Sequence, residues 1–315
     1  MRDRPCRLHA RGRAPRACAD RAPARLFLSV RSGFVAVTGR PNVGKSTLVN
    51  ALCGSKVAIV SDKPQTTRRR IAGVANGDGS QLVLVDLPGF QRPRDPLTER
   101  MQRTVDDSLT DVDGYLLVLA ANERIGRGDR FVAQRVFGAE APVVIALNKV
   151  DCVKPERIAE QIHLASGLGE FHALHPVSAR SGDGVGALRD ELAGVLPEGP
   201  AYFPEGELTD LPLEDRIGEL VREQALALTR EEVPHAVVVE VEEIVAGRVS
   251  ARVVVETESQ KAIVVGKGGR IIREIGSRAR PEIELLLGRP VFLELTVKVR
   301  PRWRRDEALL ARLGI

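Results

Sequence analysis

Nine residues constrain this chain more than any other segment: Gly39, Arg40, Pro41, Asn42, Val43, Gly44, Lys45, Ser46 and Thr47. They fit the pattern G-x-x-x-x-G-K-[ST], and they sit between an apolar run, Phe34–Thr38, and a helix-length segment. Gly39 and Gly44 allow the tight turn that aims backbone N–H groups at phosphates. The helix that follows adds its positive N-terminal end. Lys45 is placed to reach the β- and γ-phosphates, and Ser46 to offer its hydroxyl to Mg²⁺.

Further apolar runs follow at Leu82–Val85, Tyr115–Ala120, Val143–Leu147 and Ala173–Val177, mostly separated by amphipathic stretches of helix length. That alternation predicts a doubly wound α/β domain with a mainly parallel sheet, over residues 31–196. Two strand ends carry chemistry. Asp86, Leu87, Pro88, Gly89 and Phe90 follow one run: a carboxylate to hold Mg²⁺ through water, then a glycine N–H that can sense the γ-phosphate. Asn148, Lys149, Val150 and Asp151 follow another. Asp151 can accept from guanine N1–H and the 2-amino group, both absent from adenine. Two charge-assisted bonds at about 1.5–3 kcal/mol each favour GTP over ATP by roughly 10²–10⁴-fold. Lys149 packs its stem over the base, Asn148 ties the loop, and an N–H at Ser178–Ala179 faces the guanine oxygen.

Composition matters mainly through where charge lies. The chain has 315 residues and a net charge of +5, but residues 1–30 alone carry eight Arg and two Asp. That stretch, broken by Pro5, Pro15 and Pro23, reads as a non-globular basic extension: a presequence, an RNA-binding arm or an over-extended gene start. The last is preferred. No apolar run of about 18 residues predicts a membrane-spanning helix. Four cysteines without metal-type spacing exclude a disulfide scaffold and argue against zinc.

Residues 197–212, rich in Pro and Gly, are expected to be a linker. Beyond them the predicted order is helix (Leu213–Leu228), strand (Ala236–Val241), strand (Val249–Glu256), helix–turn–helix (260–287) and strand (Val291–Val299). A short helix near Arg304–Arg312 follows. The turn is Gly266, Lys267, Gly268, Gly269, the form expected of a type II KH domain in a smaller α+β unit, 213–315. Its glycines admit an RNA backbone, and Lys267, Arg270 and Arg273 supply charge to phosphates. Ile263, Val264, Val265, Ile271, Ile272 and Ile275 are expected to form an apolar wall under the bases. Charge supports that side, since 201–260 hold 14 acidic and 5 basic residues whereas 261–315 hold 6 and 13. Trp303, among Arg300, Arg302, Arg304 and Arg305, either stacks a base or caps the core.

The motif order resembles a translation-factor-type GTPase. With the C-terminal KH pattern, and with QTTRR (65–69), VSA (177–179), EVPH (232–235) and WRRDEALL (303–310), the chain from Arg31 onward is similar to the Era GTPases. The resemblance implies a GTP- and GDP-binding, GTP-hydrolysing ribosome assembly factor. It also implies a KH domain that binds the 3′ end of small-subunit rRNA, with nucleotide state gating that binding. A cytoplasmic monomer on the small subunit, with peripheral membrane association, is expected. By position in the family Gln65–Arg69 form the first switch, with Thr67 the preferred Mg²⁺ ligand and Thr66 the alternative. Phe90 stands where Ras-like enzymes place a glutamine that orients water, which predicts slow intrinsic hydrolysis. Asn42 either helps hold a K⁺ ion that stimulates turnover or merely shapes the loop. The expected catalytic group is thus Lys45, Thr67, Gly89 and Asn42, and the metal ligands are Ser46, Thr67 and Asp86.

Overall fold

Short runs of Val, Leu, Ile and Ala, buried on both faces, become the sheet that carries the phosphate loop. The computed structural model describes residues 30–90 and 93–315. The reading of the basic extension falls on residues 1–29, outside those described. The strands are β1 (Val30–Thr38), β2 (Ile71–Gly77), β3 (Ser80–Asp86), β4 (Gly114–Ala120), β5 (Val143–Asn148) and β6 (Ala173–Pro176). Their order is β2-β3-β1-β4-β5-β6, parallel except for β2 against β3. Val37 pairs with both Asp86 and Leu116, and Ala120 with Asn148, so the functional strand ends share one edge. Helices α1 (Lys45–Cys53) and α5 (Val185–Gly194) cover one face through Leu48, Leu52 and Leu188. Helices α2 (Pro96–Ser108), α3 (Arg127–Phe137) and α4 (Pro155–Ser166) cover the other through Val105, Val132 and Ala165.

Strand β2 is not among the runs read from the sequence. Its glycine-bearing segment lacks their uniform bulk, and it is held instead by a hairpin to β3 whose Gly79 takes φ +70°. The expected linker is also different: 197–212 is a strap fixed to the sheet. Strand β7 (Glu198–Gly199) pairs with β1. Gln81 Oε1 accepts from the N–H groups of Tyr202 and Phe203 at 2.7 and 2.9 Å, and Asp210 Oδ1 from Ala72 N–H at 2.9 Å. Proline limits the strap's conformations, and the sheet edge satisfies its backbone groups.

The C-terminal unit contains α6 (Leu213–Leu228), α7 (Val233–Ala236), β8 (Val238–Val245), β9 (Arg248–Val255), α8 (Glu258–Val265), α9 (Arg270–Leu287), β10 (Phe292–Val299) and α10 (Glu307–Arg312). The strand expected from Ala236 starts two residues later, because Val233–Ala236 form a helical turn. The sheet order is β10-β9-β8, with β8 antiparallel and β10 parallel to β9. Ile217 and Val221 of α6 and Ile275 and Ile283 of α9 pack on Val239 and Val253. A separate core joins the two units: Leu97 and Met101 of α2 meet Val238, Val254, Trp303, Leu309, Leu310 and Leu313. Among the described residues no helix is long and apolar enough to cross a membrane.

Candidate functional site

The loop after β1 takes its shape from three residues at positive φ: Gly39 (147°), Asn42 (65°) and Gly44 (98°). A Cβ on Gly39 would lie 2.5 Å from Val118 O, and one on Gly44 would strike Asn148 Nδ2. The buried Lys45 ammonium donates to Gly39 O at 3.2 Å and Arg40 O at 3.1 Å, which holds it over the loop's mouth. Burial pushes its pKa down to about 8. Beside it Ser46 Oγ donates to Asp86 Oδ2 at 2.7 Å and lies 3.0 Å from Thr67 Oγ1, which in turn donates to Asp86 Oδ2 at 3.3 Å. Thr66 turns away and donates to Lys63 O at 2.7 Å. Of the two threonines, Thr67 meets the other oxygens.

The second oxygen of Asp86, Oδ1, is buried and lacks a hydrogen-bond partner. An orphaned carboxylate oxygen beside two hydroxyls suits a hard divalent cation such as Mg²⁺. Burial raises the Asp86 pKa, and Lys45 and Ser46 oppose that rise. Beside Asp86 lies a cavity of about 530 Å³ whose walls include Asn42, Lys45, Ser46, Thr67, Gly89 and Lys149. Gly89 packs so closely on the loop that its Cβ would stand 2.9 Å from Pro41 Cγ. Asn148 ties the far side, donating to Val43 O and accepting from Ala179 N–H, each at 3.0 Å. Lys149 donates to Asn42 O at 2.6 Å. The Ser178 hydroxyl donates to Asp151 Oδ1 at 2.7 Å and leads the effects that lower its pKa, so the carboxylate stays ionised and oriented as an acceptor.

Other residues of these motifs direct their side chains to partners within the protein. Arg40 points away from the loop's mouth: its guanidinium meets Asp129 at 2.7 Å and Glu123 at 2.9 Å. Val43, Leu87 and Pro88 are buried and anchor their loops from below. Phe90 stacks edge-on against Phe131 of α3 at 6.2 Å and is not among the cavity walls. Asn42 Nδ2 donates to Asp62 O at 3.0 Å, joining the phosphate loop to the segment that leads into the first switch. Arg180, directly after Ser178 and Ala179, lines the cavity and was not singled out from the sequence.

In the C-terminal unit Gly266, Gly268 and Gly269 all take positive φ, and the spaces beside Gly268 and Gly269 are open. Lys267 and Arg270 are exposed, and Arg273 braces the turn by donating to Gly268 O at 2.9 Å. The apolar wall is rearranged. Val264 and Ile275 are core residues, fully buried. A groove of about 250 Å³ is lined instead by Ile272, Gly276 and Arg280 of α9 with Phe292, Leu293 and Leu295 of β10. The strand contribution had no signal in the glycine motif. Trp303 cannot stack a base: it is 0% exposed, and its Nε1 donates to Ala236 O at 2.7 Å. Its bulk joins the core that meets α2.

The stretch read as the first switch is pinned to the C-terminal unit. Arg68, 4% exposed, donates to Val237 O at 2.7 Å and to Pro234 O and His235 O at 3.1 Å, with its guanidinium 5.7 Å from the Trp303 ring centre. Burial, with Arg222 nearby, pushes its pKa down to about 9. Arg222 of α6 donates to Thr66 O, and Arg69 pairs with Asp215 at 2.6 Å. The residues on both sides of Thr67 are therefore gripped from the C-terminal unit.

Comparisons with known proteins agree with this arrangement. Residues 34–149 match the family model described as 50S ribosome-binding GTPase, and residues 232–304 match the KH domain model. The chain is 47% identical over 300 residues to GTPase Era of a Nocardioides species, covering 90% of this chain and 96% of that protein. It is also similar to a crystal structure of Era in complex with MgGDPNP and nucleotides 1506–1542 of 16S ribosomal RNA, at 39% identity and a TM-score of 0.85, covering 90% of this chain and 99% of that one. The same figures hold for a point variant of Aquifex aeolicus Era bound to GDP and AlF4⁻.

Proposed function

Because this chain belongs to the Era family of GTPases, we propose that it hydrolyses GTP to time its grip on the 3′ end of small-subunit rRNA during ribosome assembly. One observation carries the reading: the first switch, and the helix α2 that follows Asp86–Phe90 (the second switch), are built into the contact with the KH domain. Thr67 lies between Thr66, whose carbonyl accepts from Arg222, and Arg68, whose guanidinium is seated on Pro234, His235 and Val237. Helix α2, after the second switch, packs Leu97 and Met101 on Trp303, Leu309 and Leu313. A shift of either segment on loss of the γ-phosphate must strain or move the KH domain.

Ser46, Thr67 and Asp86 would hold Mg²⁺, which when bound neutralises charge on the phosphates. Lys45 adds a second positive charge, and the loop N–H groups fix the chain of phosphates in line. Asp151 selects guanine, and Arg180 lies beside the cavity as a further cation. Phe90, which stands in the position of the water-orienting glutamine, rests on α3 and offers water no hydrogen bond, and on that ground intrinsic turnover is expected to be slow. Asn42 borders the cavity and is our candidate to help hold K⁺ there. In the KH domain the open Gly268–Gly269 backbone receives phosphates, and the groove walled by Ile272 and Leu295 receives bases.

The test is nucleotide turnover and RNA binding by the full chain. We expect Mg²⁺-dependent GTP hydrolysis and binding of a single strand of the small-subunit rRNA 3′ end that Gly268→Asp abolishes. Equal affinity for that strand and a scrambled one would refute the RNA assignment.

A further inference from the structure

Helix α3 presents a face that neither the GTPase reaction nor the KH groove uses. Arg127, Arg130, Phe131, Gln134 and Arg135 are exposed and recur every three or four residues, so they share one side of the helix. From Arg127 to Arg135 that side spans about 12 Å. The helix's one acid, Asp129, is buried and held by Arg40. Arg127 and Arg130, with Arg124 just before the helix, form no ion pair among the described residues. Arg135 reaches Asp106 of α2, and its guanidinium also lies 5.3 Å from the centre of the Phe131 ring. Phe131 is 51% exposed, so one face of its ring is open among the described residues.

Unpaired guanidinium groups around an exposed aromatic ring suit one class of partner: phosphates take the cations and a base takes the ring. A protein partner would demand a broader apolar centre, and the only large apolar side chain exposed on α3 is Phe131. We propose that the outer face of α3 is a second RNA-binding surface, in which Arg127, Arg130 and Arg135 contact rRNA phosphates and Phe131 stacks a base.

The surface is wired to the reaction. Phe131 supports Phe90, the residue after Asp86-Leu87-Pro88-Gly89, and the Arg135 guanidinium lies 5.9 Å from the Phe90 ring. A phosphate that draws Arg135 from Asp106 and off these rings, or a base that takes the exposed face of Phe131, would loosen Phe90. RNA on α3 would thereby act on the second switch, independently of the KH domain's hold on the first. This inference rests on the reading that the chain binds rRNA.

The test compares the full-length protein with Arg127→Gln/Arg130→Gln, neither residue being part of the nucleotide or KH site. Two probes are used: a ten-nucleotide strand from the rRNA 3′ end, sized for the KH groove, and protein-free full-length small-subunit rRNA. Loss of two phosphate contacts should flatten the slope of log K against log [salt] by about 1.4–1.8 and weaken full-length rRNA binding roughly 10- to 30-fold near 0.15 M salt. Short-strand binding and GDP affinity should not change, the latter showing that the variant is folded. Phe131→Ala should weaken full-length rRNA binding in the same selective way. Unchanged salt slope and affinity on full-length rRNA would overturn the proposal. So would a loss seen on intact small subunits but not on protein-free rRNA, because the partner would then be protein. Failure of the wild type to bind the short strand would instead strike the KH reading.

Discussion

Arg68→Met puts the contact between switch and KH domain under direct strain. Methionine keeps an unbranched stem beside Trp303 but removes the guanidinium that donates to three carbonyls at 2.7, 3.1 and 3.1 Å. Hydrogen bonds from a charged donor are worth about 1.5–3 kcal/mol each, and the orphaned carbonyls cost about 1–3 kcal/mol each where they stay buried. Two effects offset this. The charged form of Arg68 is held at a desolvation cost, visible in its lowered pKa, and its Nε has no partner. Removing a buried charge relieves that cost. A net loss of about 2–3 kcal/mol is expected, or roughly 3–5 °C in Tm for a chain of this size. The functional effect is sharper. Stimulation of GTP turnover by an rRNA 3′ strand should fall at least fivefold, while Mg²⁺-dependent GDP affinity stays within twofold. Turnover is read from released phosphate with and without the strand, at a temperature where the variant is folded. Full retention of RNA stimulation would refute the coupling through Arg68.

Gly44→Ala places a methyl group against Asn148 at φ +98°, so GDP affinity measured by calorimetry should fall beyond detection while the far-UV spectrum is kept. Trp303→Phe should cost about 1–3 kcal/mol in urea unfolding through lost packing and the lost bond to Ala236 O, yet leave rRNA strand affinity within twofold. A tenfold loss of RNA affinity would restore Trp303 to the RNA site. His235 has its pKa held below the ordinary 6.5 by burial and by the charges of Arg68 and Arg304. The unfolded chain therefore takes up that proton first, and this contribution to stability is complete above pH 6.5 and declines as pH falls through it. His235→Gln should lessen the drop in Tm between pH 7.5 and 5.5; an identical drop would remove His235 as its source.

The parts legible in the sequence are those whose spacing is local. The phosphate loop, Asp86 and Asp151 each sit at a strand end, and short apolar strands are readable from composition alone. Thr67 could be preferred over Thr66 only by family position, because what separates them is a contact with Ser46 and Asp86 across the fold. Trp303 stays open between its two readings in the sequence for the same reason. A tryptophan among arginines has the composition of an RNA contact, and only α2, remote in sequence, shows that it is core. Beyond the place of Arg68 in the first switch, nothing in the sequence marks Arg68 or Arg222 as a tie between the units, since no local pattern reveals a carbonyl contributed by a distant turn. The strap at 197–212 read as a free linker because Pro and Gly report local conformation and not the sheet edge that receives it.

The proposed coupling joins nucleotide state to RNA binding through the pinned first switch and α2. The direct measurement is the affinity of the full-length protein for a single strand of the rRNA 3′ end, taken with Mg²⁺ and either GDP or a non-hydrolysable GTP analogue at one salt concentration. Coupling energies of about 1–3 kcal/mol correspond to a difference of roughly 5–150-fold, with the tighter complex in the triphosphate state. By linkage the RNA strand must tighten the GTP analogue by the same factor. Equal RNA affinities in the two nucleotide states would contradict that coupling.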